Sequence, residues 1–136
     1  MKLNPKTLIV EDSEAISSMM KFMLNDLGIN DISIAPDGLK ALELFKNAFL
    51  GGAPHSLVFL DLMMPVMDGQ STLKIMRAVE KQSGKTGKDA AVIIMTTSCD
   101  SPKDMMDAIH SECTDYLVKP VSIGSLRSTL SKYNFI

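Results

Sequence analysis

The stretch Leu57-Val58-Phe59-Leu60-Asp61-Leu62-Met63-Met64-Pro65-Val66-Met67-Asp68-Gly69 runs four apolar residues into a carboxylate, then into a turn. The run is short and unbroken, the pattern of a strand covered on both faces. An acid closing such a strand is costly to desolvate unless it lies at the sheet's edge or meets a partner. Asp68-Gly69 reads as a turn and a helix start. A second run, Leu8-Ile9-Val10, ends the same way in Glu11-Asp12.

Outward from these two runs, strand-like and helical patterns alternate along the chain. Thr7 to Val10 reads as the first strand. Ile16, Met19, Met20, Met23, Leu24 and Leu27 then recur at helical spacing, with Gly28 as a stop. Ile32-Ser33-Ile34 alternates, as expected of a strand nearer an edge. Asp37 caps a second helix carrying Leu39, Leu42, Phe45 and Phe49, and Gly51-Gly52 leads into the third strand, Leu57 to Leu60. Leu73, Met76 and Val79 mark a third helix, and Ala91 to Met95 a fourth strand. Ser101-Pro102 opens a fourth helix. Tyr116 to Val118 is a fifth strand, and Ser122 caps a last helix with Ile123, Leu126, Leu130 and Tyr133. Strict alternation predicts an α/β fold, an open parallel sheet with helices on both faces.

The chain has 136 residues, 46% of them apolar, and a net charge of -2. That length suits one domain with a real core, and we expect a single domain over 1–136 with its core at about 6–134. The acidity gives no reason to expect direct nucleic-acid binding. No apolar stretch approaches the ~18 residues of a membrane span, and the first residues are not a secretion signal. Cys99 and Cys113 form no disulfide framework and read as free thiols, so the expected compartment is the cytoplasm. His55 and His110 have no partner at metal-ligand spacing and read as structural or solvent-facing. The eleven methionines read as adaptable core filler. Lys81 to Asp89 is a long polar, basic connection. Its Gly84-Lys85-Thr86 is no phosphate loop, because Val79 stands where that motif needs a glycine.

In a parallel sheet all carboxyl ends of the strands share one edge, where ligands bind. That edge collects Glu11, Asp12, Asp61, Thr96 and Lys119-Pro120. Three acids that close together repel, and a hard divalent cation with oxygen ligands relieves the repulsion. A carboxylate nucleophile, an ammonium and a hydroxyl suit phosphoryl transfer.

Glu11-Asp12, the run from Asp61 to Gly69, Thr96, and Tyr116-Leu117-Val118-Lys119-Pro120 together resemble the receiver domains of two-component response regulators. The resemblance implies a flavodoxin-like sheet of order 2-1-3-4-5. It makes Asp61 the phosphoacceptor, taking a phosphoryl group from a sensor histidine kinase or phosphotransfer protein. Glu11, Asp12, Asp61 and the backbone carbonyl of Met63 would hold Mg²⁺ or Mn²⁺. Lys119, in a cis peptide with Pro120, would pair with the phosphoryl group. Thr96 would move to meet it, and Tyr116 would turn inward after it. The fourth and fifth helices with the fifth strand would then form the surface read by a downstream protein. Met63 and Ser98 match positions that tune the phosphoryl lifetime. The chain departs from the family's pattern at Glu11, where Asp is commonest, and at Glu112-Cys113, where the family often has Gly-Ala. With no output domain expected, the protein would act by binding a partner or passing the phosphoryl group on, catalysing only its own phosphorylation and dephosphorylation.

Two other classes compete. A haloacid-dehalogenase-type phosphohydrolase also uses a strand-end aspartate with Mg²⁺, but it needs a second aspartate where Met63 stands. A non-phosphorylated binding module leaves the complete acid, hydroxyl and lysine set unused, and a flavin-binding protein leaves the acids unexplained.

Overall fold

The computed structural model describes residues 4–64, 66–85, 87–98, 103, 107, 110 and 112–136. The elements are β1 (Thr7–Val10), α1 (Glu14–Asp26), β2 (Ile32–Ala35), α2 (Gly38–Leu50), β3 (Leu57–Asp61), α3 (Gly69–Gln82), a 3-10 turn (Gly87–Asp89), β4 (Val92–Thr97), β5 (Asp115–Val118) and α4 (Ile123–Lys132). The five strands are all parallel, in the order β2-β1-β3-β4-β5. Most of the helix expected after Ser101-Pro102, and Cys99, lie outside the described residues.

Several expected boundaries move, among them the end of β3, which includes Asp61, and the start of β5 at Asp115. β4 begins at Val92 and runs through Thr96 and Thr97, so Thr96 is a strand residue and not part of the following loop. The connection from Lys81 to Asp89 is shorter than it reads: α3 continues to Gln82, and Gly87–Asp89 form the 3-10 turn.

Period-two alternation splits the core into two faces. Leu8, Val10, Val58, Leu60, Ile93 and Met95 pack against α2 and α3 through Phe45, Leu73 and Met76. Ile9, Leu57, Phe59 and Ile94 pack against α1 and α4 through Met20, Leu24, Leu126 and Leu130. Each of α1, α2, α3 and α4 starts on a side-chain cap: Ser13, Asp37, Asp68 and Ser122 accept from the backbone N–H of Ile16, Lys40, Ser71 and Ser125. Gly28, with φ +94°, turns the chain out of α1 in a conformation that L side chains rarely adopt. Helical spacing alone puts Met19 and Leu39 in the core, yet they are exposed, as is Phe22.

The start of β5 is held from α3. Arg77 donates through Nε to the Glu112 carbonyl at 3.0 Å, through Nη1 to Glu80 and the Ala91 carbonyl, and through Nη2 to Thr114 Oγ1 at 3.3 Å. Glu80 is 2% exposed, and its other oxygen accepts from Ala91 N–H at 2.6 Å. Thr114 Oγ1 in turn accepts from Ile93 N–H. Glu112 takes φ +73°, a left-handed conformation costly for a side-chain-bearing residue. Glycine is therefore the easy choice there. Here Arg77 on its carbonyl and Lys81 on its carboxylate hold a glutamate instead.

His55 lies just before β3, 4% exposed, its ring parallel to that of Phe45 and neither nitrogen hydrogen-bonded among the described residues. Burial, with help from the Lys6 charge and against that of Asp31, pushes its pKa down to about 4 from 6.5. Between those values the unfolded chain binds a proton that the folded one refuses, so stability falls as pH drops from 6.5 towards 4. Urea unfolding across that range should show wild type losing roughly 3 kcal/mol more than His55→Phe. Parallel pH profiles for the two proteins would contradict this.

Candidate functional site

Sheet register builds the site. Val10 stands opposite Leu60, so the next residues, Glu11 and Asp61, leave adjacent strands side by side. Asp61 stands opposite Thr96, and Leu62 N–H donates to the Thr96 carbonyl at 2.9 Å. Val118 stands opposite Thr97, and Lys119 N–H donates to the Thr97 carbonyl at 2.7 Å. The Lys119-Pro120 peptide is cis. One edge of the sheet thus carries Glu11, Asp61, Thr96 and Lys119 in spatial order.

The side chains converge. Glu11, Asp12 and Asp61 each offer a carboxylate oxygen, and these oxygens lie within 4.8 Å of one another. Glu11 and Asp61 are buried and Asp12 is exposed. Lys119 Nζ lies 2.5 Å from Glu11 Oε1 and 3.3 Å from Asp61 Oδ2. The second Glu11 oxygen accepts from Ser13 N–H at 3.1 Å, and Asp61 Oδ1 accepts from Met63 N–H at 3.2 Å.

Burial raises the Glu11 pKa, with the Asp61 charge adding to it and the bonds from Lys119 and Ser13 opposing. For Lys119 burial works against the ammonium, but the hydrogen bond to Glu11 and the charges of Asp61 and Glu11 outweigh it, and its pKa is raised. Among the described residues three acids face one ammonium. That donor set is all oxygen, overcharged and open to solvent at Asp12, which suits a hard divalent cation.

The connection behind Asp61 is tightly built. Gly69 N–H donates to the Leu62 carbonyl at 3.0 Å. A Cβ on Gly69 would run into the Asp61 carbonyl oxygen and stand 2.8 Å from Leu62 Cα. Only glycine lets α3 start this close to the end of β3. Met63 is 63% exposed, so its side chain extends into solvent. Ser98 is exposed. Tyr116 stands opposite Met95, one register step from Thr96, and is partly exposed on the edge strand. Beside Lys119 lies an apolar cavity of about 280 Å³ between α1 and the start of α4, lined by Ile16, Met19, Met20, Met23 and Val121 among others. The methionine-rich first helix signals this cavity in the sequence, but its periodicity reads as plain core.

The family model for the response regulator receiver domain matches residues 7–131. The chain is 32% identical to chemotaxis protein CheY-3 of Vibrio cholerae, over 95% of this chain and 91% of that one. It is 27% identical to the osmosensing histidine protein kinase SLN1 of Saccharomyces cerevisiae, over 94% of this chain but only 10% of the kinase. Among solved structures it resembles the co-crystal of the Saccharomyces cerevisiae histidine phosphotransfer signaling protein Ypd1 with the receiver domain of its downstream response regulator Ssk1. The TM-score is 0.82, with 30% identity over 97% of this chain and 91% of that one. Among the described residues no helix is long and apolar enough to cross a membrane.

Proposed function

The chain belongs to the response regulator receiver domain family, and from that premise we propose that Asp61 is its phosphoacceptor. Receiver domains are signalling proteins and not classical enzymes. The observation that carries the assignment is Lys119 Nζ bridging Glu11 and Asp61 within a cluster of three carboxylates. In the proposed step an Asp61 carboxylate oxygen bonds to the phosphorus of a phosphohistidine. The P–N bond breaks, and its electron pair stays on the imidazole nitrogen. Lys119, beside Asp61 Oδ2, pairs with the incoming phosphoryl oxygens. The Thr96 hydroxyl, one strand away, donates to another. Glu11, Asp12, Asp61 and the Met63 carbonyl would hold Mg²⁺ or Mn²⁺, which when bound neutralises charge on the phosphoryl group.

The donor is a sensor histidine kinase or phosphotransfer protein. Met19 and Phe22, exposed on one face of α1 beside the cavity that reaches Lys119, give it an apolar seat. The Asp61 phosphoryl group shifts an inactive–active equilibrium, drawing Thr96 towards it and Tyr116 inward. β5, α4 and the segment between β4 and β5 form the surface that a downstream protein reads. Residues 1–136 act as one receiver domain in the cytoplasm, where a free thiol such as Cys113 stays reduced. The phosphohydrolase alternative lacks its acid: the residue two after Asp61 is the exposed, apolar Met63.

Transfer from a phosphohistidine-bearing protein tests this reading. Label should pass to the chain with magnesium and stop with chelator. Transfer that ignores chelator, or that persists in Asp61→Asn, would overturn it.

Met63 offers no polar group to orient an attacking water at the aspartyl phosphate. Met63→Asn should therefore shorten the phosphoryl lifetime, by about 2–10-fold if one positioned water costs up to about 1.4 kcal/mol of barrier. Decay of the labelled protein gives the rate, and an unchanged or slower rate sinks the idea.

A further inference from the structure

Helix α3 carries a ridge of cations that phosphoryl transfer leaves unused. Lys74, Arg77 and Lys81 recur at three- and four-residue spacing, which places them on one helix face. After Gln82 the chain turns and brings Lys85 beside them. Two depressions of about 270 and 230 Å³ flank the ridge. Arg77, Lys81 and Glu112 line both; Lys85 lines the first, Lys74 and His110 the second. Residues 74–89 contain five cations and two acids, so the rest of the chain is more acidic than its total of -2.

The cations differ in availability. Arg77 is engaged by Glu80 and three backbone or hydroxyl oxygens. Lys81 pairs with Glu112 at 3.1 Å, but both side chains are more than half exposed, so the pair is weak and exchangeable. Lys74 and Lys85 are exposed and have no ion-pair partner among the described residues.

We propose that this ridge docks a short acidic segment of a partner protein. Carboxylates of the segment take Lys74 and Lys85 and replace Glu112 on Lys81, while the locked Arg77 supplies a rigid floor. A long polyanion such as a nucleic acid fits worse. The rest of the chain is net acidic and disfavours a polyanion that extends past the ridge, and over about 8–10 Å that repulsion is only partly screened. The ridge flanks Ala91, just before β4, whereas Asp61 pairs with Thr96 near the other end of that strand. At about 3.3 Å per residue the two sites are roughly 15 Å apart. Docking therefore leaves Asp61 open, and the proposal stands whether or not Asp61 is phosphorylated.

A fluorescent peptide alternating glutamate and serine is the probe, titrated against the unphosphorylated protein by anisotropy and by amide chemical shifts. Binding should weaken with salt and shift Lys74, Ala78, Lys81, Lys85 and Gly87. It should fall about tenfold or more in Lys74→Glu/Lys85→Glu, since like charges now face the peptide, with the circular dichroism spectrum unchanged. No binding, equal binding by the variant, or shifts confined to the Asp61 end would overturn the proposal. So would duplex DNA or phosphatidylserine vesicles that shift the same amides and bind more tightly.

Discussion

Replacing Arg77 with methionine should lower the unfolding free energy by about 3–5 kcal/mol, the scale for removing one partner of a buried ion pair. The Arg77 side chain is 11% exposed and that of Glu80 only 2%. Without Arg77, Glu80 keeps its bond from Ala91 N–H, but its second oxygen is left buried without its ion-pair partner. The Ala91 and Glu112 carbonyls each lose a donor, and so does Thr114 Oγ1. Glu112 also loses a restraint on its left-handed backbone. Adding Glu80→Gln removes the stranded charge while keeping an acceptor for Ala91 N–H, so the double variant should recover part of the loss. Urea unfolding gives all three values. An Arg77→Met protein within about 0.5 kcal/mol of wild type, the range of ordinary surface changes, would contradict the account.

Lys119→Met should destabilise the protein in chelator by about 3 kcal/mol, again because a buried charge loses its partner. Among the described residues Lys119 is the cation within ion-pair reach of both Glu11 and Asp61, whose side chains are 2% and 5% exposed. With it gone, those carboxylates and Asp12 face one another uncompensated. A divalent cation then becomes their remaining counter-charge. Magnesium at about 100-fold above its Kd gives back about 2.7 kcal/mol, and the gain should exceed that of wild type, where Lys119 shares the same carboxylates. Thermal unfolding with and without magnesium reads both effects. A variant as stable as wild type in chelator, or no more responsive to magnesium, would refute this electrostatic picture.

Much of the sheet was legible because its signal is local. Unbroken apolar runs mark β1, β3 and β4, and the alternation of Ile32-Ser33-Ile34 places β2 at an edge, as found. The strand-end acids and Lys119 were legible for the same reason, since a parallel sheet sends every strand's end to one side. What stayed hidden is tertiary. The i,i+3 spacing of Arg77 and Glu80 carries no sign of burial in itself, since such pairs are common on exposed helix faces; only the packing of Ala91, Glu112 and Thr114 against them makes this one buried. Helical spacing cannot tell Met20, fully covered, from Met19, at the rim of a cavity. Glu112 hides its left-handed backbone because its stabilising partners lie on α3, more than thirty residues earlier.

The account's central claim is that Asp61 stores a phosphoryl group. Intact mass after incubation with a small-molecule phosphodonor and magnesium tests it most directly. One added phosphoryl group is expected, absent in Asp61→Asn and absent with chelator. A folded protein that gains no mass with any donor, or an Asp61→Asn variant that gains the same mass, would contradict the claim.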